Sequence, residues 1–369
     1  MKVLLVYIKS PFAVSDGVST ALNSLMDLMI KIYINVDVFI VNENRIYTNV
    51  NSKSNEQNMQ SMIFDGIDYN SYSLVVASPI TSFMRIKKDL PKLREFILIT
   101  QISDCIVYEL WISFLLSLKF RRINPKSILK IPFYYYHEYL MNKSSDIVLL
   151  QTERDVEIIS SLYSSKKGIA IPNLVLKDSI PLKKVSEKNM DIGWCATFKG
   201  DYLILAKWFC KKVIVPFMEN NDTVKMSLLG NGNIEFCEYL KEQFPKFSRR
   251  FISNKHIENI SQYYASHKVI ICPVYKGYGL INKTIEAMLY GSIVLGDKAA
   301  FNGISDASDE ENCLIAESPK DFITSLEKVF TKLSDQEIFD IGEKASQLIS
   351  DQFSRDKNIK KILKALKDL

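Results

Sequence analysis

Lys276-Gly277-Tyr278-Gly279-Leu280-Ile281-Asn282-Lys283-Thr284-Ile285-Glu286-Ala287-Met288-Leu289-Tyr290-Gly291-Ser292-Ile293-Val294-Leu295 is the stretch that decides how this chain is read. A β-branched apolar run, Lys268–Val274, precedes it and predicts a buried strand. Two glycines then turn the chain into a helix, which Gly291 stops where a left-handed cap is needed. A second buried strand, Ser292–Leu295, follows at once. Strand, glycine turn and helix N-terminus together make an anion site, because unpaired amide N–H groups and the helix dipole point at the turn. Lys283 in the first turn opposes that dipole, so its presence points to a bound anion. Glu286 lies three residues on, on the same helix face. It could accept hydrogen bonds from vicinal ribose hydroxyls, or form a surface i,i+3 ion pair with Lys283.

The same alternation of strand and helix extends in both directions. In the first half, short apolar runs recur at Val3–Ile8, Val36–Val41, Leu74–Ala77, Phe96–Thr100, Ile147–Gln151 and Gly168–Ile171. In the second they recur at Asp191–Ala196, Lys225–Leu229, Arg250–Ile252, Lys268–Val274, Ser292–Leu295 and Cys313–Ala316. Continuous apolar strands separated by helices imply α/β architecture, with parallel sheets covered on both faces. The polar segment Asn173–Asn189, with Pro181 and six charges, interrupts the series and reads as a linker. The expected organisation is a Rossmann-like domain over 1–175, a linker over 176–189 and a second Rossmann-like domain over 190–350. An amphipathic helix over 351–369 follows, with Ile359, Ile362, Leu363 and Leu366 at helical spacing, packing back on the body.

Composition agrees. The chain has 369 residues, 47% hydrophobic and 24% charged, which excludes disordered, collagenous and coiled-coil classes. At ~150 residues per domain, that length predicts two domains. A net charge of +5, from 47 basic and 42 acidic residues, is too mild to name nucleic acid as the partner. Six cysteines without CxxC spacing and only three histidines favour neither a zinc site nor a disulfide framework, and a reducing cytoplasm fits. Cys195 and Cys272, inside apolar runs, read as core residues. The opening run Val3–Ile8 stops at Lys9, too short for an export signal. Ile106–Phe120, interrupted by Glu109, falls short of a membrane span. It reads either as a core helix with solvated ends or as an amphipathic face resting on an anionic membrane, since Lys119-Phe120-Arg121-Arg122, Lys126, Lys130 and Tyr134–Tyr136 follow.

The 276–295 stretch resembles the donor-site signature of retaining glycosyltransferases of the GT-B fold, family 4. It is most similar to the bacterial exopolysaccharide and capsule subset reading G-x-x-N-K-x-x-E-A-M-x-x-G-x-x-V, through Gly279, Asn282, Lys283, Glu286, Ala287, Met288, Gly291 and Val294. Met1–Val6 followed by Gly17, Ile171-Pro172-Asn173, Asp191-Ile192-Gly193 through Lys199-Gly200, and Leu228-Leu229-Gly230-Asn231-Gly232 resemble further landmarks in the same order. The resemblance implies two Rossmann-like domains with parallel sheets facing a central cleft, the first taking the acceptor and the second the donor. It also implies transfer of a sugar from a UDP or GDP donor to a saccharide or lipid-linked acceptor in surface polysaccharide biosynthesis, with retention. No cofactor and no metal are expected, the nucleotide sugar being a substrate.

By the same resemblance, Lys199 and Lys283 neutralise the departing diphosphate and Glu286 holds the ribose. Ile257 lies against the base, while Tyr278, Gly279, Leu280, Ile281 and Asn282 line the sugar and phosphates. Gly17 lets the loop of the first domain approach the diphosphate, and Gly230, in its glycine turn, belongs to the donor site. Asp104 is the nearest candidate for an acceptor-side base, though a helix N-cap explains it as well. Lys199 reads equally as a loop lysine ahead of a helix. Tyr278 stands where many members carry a first glutamate, so sugar recognition must differ, and a non-catalytic nucleotide-binding scaffold is the alternative. A cytoplasmic location, with peripheral contact at the inner membrane face, is the corresponding expectation.

Overall fold

The computed structural model describes residues 1–11, 17–33, 35–51, 61–63, 66–119, 125–165, 167–174, 181–254, 257, 259–274 and 279–369. They form two compact units. One comprises Met1–Leu174, Tyr278–Leu280 and Phe353–Leu369, the other Val175–Gly277 and Ile281–Gln352.

The first unit is built on β1 (Lys2–Tyr7), β2 (Asn35–Ile40), β3 (Arg45–Tyr47), β4 (Ser61–Ile63), β5 (Leu74–Ser78), β6 (Ile97–Gln101), β7 (Ile147–Leu150) and β8 (Gly168–Ala170), in the order β4-β3-β2-β1-β5-β6-β7-β8. Strands β1, β2 and β5–β8 run parallel. The sequence reading missed β3 and β4, which add antiparallel at one edge. They are three residues each, too short to show a hydrophobic period. Alternation along β1 explains the two-sided burial. Val3, Leu5 and Tyr7 join one apolar cluster with Val36, Val38 and Leu74, while Leu4 and Val6 join another with Val75, Ala77 and Leu98. The Tyr7 hydroxyl, buried with its ring, donates to the Leu22 carbonyl at 3.1 Å.

The expected C-terminal helix runs over Arg355–Lys367, starting later than 351 because Asp351 and Gln352 finish the preceding helix, Asp335–Gln352. It belongs to the first unit. Ile362 is buried there, Asn358 donates to the Pro172 carbonyl at 3.1 Å, and Arg355 pairs with Asp27 at 2.7 Å. Two of its basic side chains, Arg355 and Lys361, are thus engaged with the protein itself, the second with Glu153 at 3.4 Å.

The second unit carries β9 (Met190–Cys195), β10 (Met226–Leu229), β11 (Phe251–Ser253), β12 (His267–Cys272), β13 (Ile293–Gly296) and β14 (Leu314–Ile315), all parallel, in the order β11-β10-β9-β12-β13-β14. Ile192 and Trp194 of β9 and Val269 and Ile271 of β12 face an aromatic core containing Phe198, Phe209 and Phe236. Trp194 meets each of those three rings edge-on, with centroids 5.3–6.3 Å apart. From β9 the chain proceeds to β10 on one side, whereas β12 lies on the other. Loops after β9 and β12 therefore diverge, leaving the crevice at which open α/β sheets bind ligands.

Gly230 closes the turn after β10 at φ 115°, and a Cβ there would overlap the Ala196 carbonyl of the loop after β9. Gly230→Ala should destabilise the second unit by about 1–3 kcal/mol. Thermal or urea unfolding checks this, and an unchanged transition would show that the two loops are not held at that distance.

Candidate active site

The Asn282–Leu289 helix begins past the carboxyl end of β12, at the crevice beside β9. Thr284 N–H is the first to bond back, to the Ile281 carbonyl at 3.0 Å. As at any helix start, the amides before it have no acceptor within the helix. Gly291 ends the helix in the left-handed conformation expected of it, at φ 73°. The helix is fixed to the sheet by the buried Thr284, whose hydroxyl donates to the Cys272 thiol at 3.2 Å at the end of β12.

Lys283 is half-buried and Glu286 lies on the same side of the helix. No ion pair joins them within 4 Å among the described residues, so the surface i,i+3 bridge is not what this pair forms. Burial pushes the Glu286 carboxyl up, while neighbouring Tyr264 and Lys283 pull it back towards the charged state. Tyr264 is fully buried and faces both Glu286 and the Cys195 thiol at the end of β9, with its hydroxyl unpaired by hydrogen-bond geometry. Cys195 is half-buried and feels the charge of Lys283, so it stands at the crevice, closer to the site than a core residue would be.

Lys199 is exposed and occupies the N-cap position of the Gly200–Phe209 helix without a side-chain cap bond. Its methylene stem lies along Gly232, and the adjoining Phe198 N–H donates to the Asn231 carbonyl at 2.7 Å. The loops after β9 and β10 are thereby tied together, with the lysine ammonium left in solvent. Asp297, directly after β13, was not singled out from the sequence. Its carboxylate accepts from Val274 N–H at 2.8 Å and Ala300 N–H at 3.2 Å, and burial pushes its pKa up to about 6. Its place immediately past a buried strand was the available signal.

Gly17 is the first residue of the Gly17–Ile32 helix. Ile257 lines a cavity of about 280 Å³ with Ser227, Asn254, Tyr263 and His267. Leu280 is buried, Ile281 precedes the helix, and Tyr278 lies outside the described residues. Among the described residues no group of three His, Cys, Asp or Glu side chains could hold a metal ion.

Asp104 lies in the first unit, between β6 and the Ile106–Lys119 helix. It does not cap that helix. Glu138 from the Pro125–Ser144 helix accepts the Ile106 and Val107 N–H groups at 2.7 and 3.3 Å, together with the Tyr163 hydroxyl at 2.6 Å. A cap supplied by a residue 32 positions away has no local signature. One Asp104 carboxylate oxygen is buried without a hydrogen-bond partner. Within the same unit, a Cβ on Gly279 would run into it. Burial, then the charges of Asp155 and Glu109, push the Asp104 pKa up to about 7.

The two doubly wound sheets are those of the GT-B fold. Residues 192–332 match the model of a family described as Glycosyl transferases group 1. Sucrose-phosphate synthase from Thermosynechococcus elongatus superposes with a TM-score of 0.67 at 12% identity, over 99% of this chain and 98% of that one. HepE from Anabaena, in complex with UDP, gives 0.66 at 14%, over all of both chains. A TarM variant from S. aureus, in complex with fondaparinux, alpha-GlcNAc-glycerol and UDP, gives 0.61 at 14%, over 87% of this chain. The chain spans 64% of that TarM chain, less than two thirds of its length. No curated protein sequence matches this one.

The raised Asp104 pKa carries a stability prediction. The folded state holds the proton up to about pH 7 and the unfolded state releases it near 3.9, so stability falls as pH rises between those values and the full cost is present above 7. Asp104→Asn should therefore stabilise the protein at pH 8 by on the order of 2–4 kcal/mol, and by less at pH 5. Paired melting curves at the two pH values check it; a pH-independent difference would place the carboxylate in water.

Proposed function

We propose that this chain is a retaining glycosyltransferase that moves a sugar from a nucleotide diphosphate donor to a saccharide or lipid-linked acceptor in surface polysaccharide assembly, without a divalent metal. The observation that carries the reading is Lys283 and Glu286 together on a helix that starts at the switch point of the second sheet. Breaking the bond between sugar and diphosphate leaves additional negative charge on the phosphate oxygens. Preorganised cations and helix amides aimed at those oxygens lower the barrier, because they need no reorganisation as charge develops. Lys283 supplies one cation from within the helix start, and Lys199 a second from the loop after β9.

Glu286 suits a different task. Its half-buried carboxylate can accept two hydrogen bonds from vicinal ribose hydroxyls, with Tyr264 and Lys283 favouring its charged form. Thr284, bonded to Cys272, keeps the helix start from shifting against the sheet. Asp104, with a pKa near neutrality and a bare oxygen, has the properties of an acceptor-side proton acceptor. HepE was crystallised with UDP and with UDP-glucose and the TarM variant with UDP, which makes a uridine nucleotide the first donor to test.

Donor consumption measured in the presence of EDTA tests the reading. Turnover should persist there. Lys283→Ala and Lys199→Ala should each lower it by roughly 10²–10³. Glu286→Ala should weaken donor binding. NMR of the product should show the donor's anomeric configuration. Variants that turn over like the parent, or an inverted product, would refute the assignment.

A further inference from the structure

We propose that the adjoining parts of the Ile106–Lys119 and Pro125–Ser144 helices form a docking surface for an anionic phospholipid bilayer. The two helices pack on one another, and their roots are held in the first unit. Val107, Glu138 and Met141 are buried, and Glu138 ties the two helices by accepting the Ile106 and Val107 N–H groups. Away from those roots the burial ends. Trp111, Leu115 and Leu118 on one helix are 42–48% exposed, and Leu129, Phe133 and Tyr136 on the other are 51–76% exposed. Single exposed apolar residues are ordinary, whereas six large ones on two packed helices make a surface that water alone does not favour.

Charge selects the occupant. Among the described side chains from Leu110 to His137 the charge present is basic, at Lys130. Lys130 is exposed beside Leu129, and the Lys87 ammonium lies 5.7 Å from the centre of the Tyr136 ring. A second copy of this chain would have to bury the same patch against itself, bringing those like charges together. An anionic bilayer meets both demands, taking the apolar and aromatic side chains at the level of its headgroups and pairing the cations with phosphates. No helix among the described residues is long and apolar enough to cross a membrane, so the contact is interfacial. Trp, Tyr and Phe are the residues that interface favours.

This inference does not depend on the proposed activity, and vesicle flotation tests it separately. The full chain should float with vesicles of phosphatidylglycerol and phosphatidylcholine, bind phosphatidylcholine vesicles at least tenfold more weakly, and be released by salt. Leu129→Ser/Phe133→Ser should abolish flotation, and Lys130→Glu should weaken it on the order of tenfold. Both variants should keep the parent's melting temperature and its turnover of donor with a water-soluble acceptor. Equal binding to both vesicle types, no binding to either, or a dimer in light scattering that the Ser variant dissociates would overturn the proposal. Flotation without donor turnover would refute the activity and leave this inference standing.

Discussion

The Ala196 carbonyl occupies the space that a side chain at position 230 would need, and the carboxyl edge of the second sheet is organised around that contact. Ala196 N–H donates to the Leu229 carbonyl at 2.9 Å and Phe198 N–H to the Asn231 carbonyl at 2.7 Å, so the loops after β9 and β10 run as one backbone-bonded unit. Lys199 follows directly, its stem against Gly232. Across the switch point the Asn282–Leu289 helix is pinned to β12 through Thr284 and Cys272. A short approach between two backbones thus positions the loop that bears one lysine, and a buried hydroxyl–thiol contact fixes the helix that bears the other.

Burial sets the electrostatics of this edge. Glu286 and Asp297 are both pushed towards the neutral acid by desolvation, and neighbours offset part of that push in each case. For Glu286 these are Tyr264 and Lys283, and for Asp297 the N–H groups of Val274 and of the turn after β13. Asp104 has no such compensation, which is why its pKa rises furthest of the three. A carboxyl kept half-charged near neutrality is costly for stability and useful for moving protons.

The sequence showed the parallel strands of both sheets because they are buried on two faces and read as unbroken apolar runs. It showed the Asn282–Leu289 helix because a glycine stop and a following strand bracket it. The edge strands β3 and β4 were invisible at three residues each. At the site, Lys283 and Glu286 could be picked out by their spacing, whereas Tyr264 could not: its approach to Glu286 depends on how two helices lie on one face of the sheet. The Glu138 cap was equally hidden, and without it Asp104 read as the cap.

The central claim is that an anion is held at the second sheet's switch point by two lysine ammonium groups and a helix N-terminus. A crystal structure with UDP tests it most directly. The account predicts the diphosphate within hydrogen-bonding distance of Lys199, Lys283 and the first amides of the Asn282–Leu289 helix, with the ribose on Glu286. A diphosphate bound elsewhere, or held through magnesium away from these lysines, would contradict it.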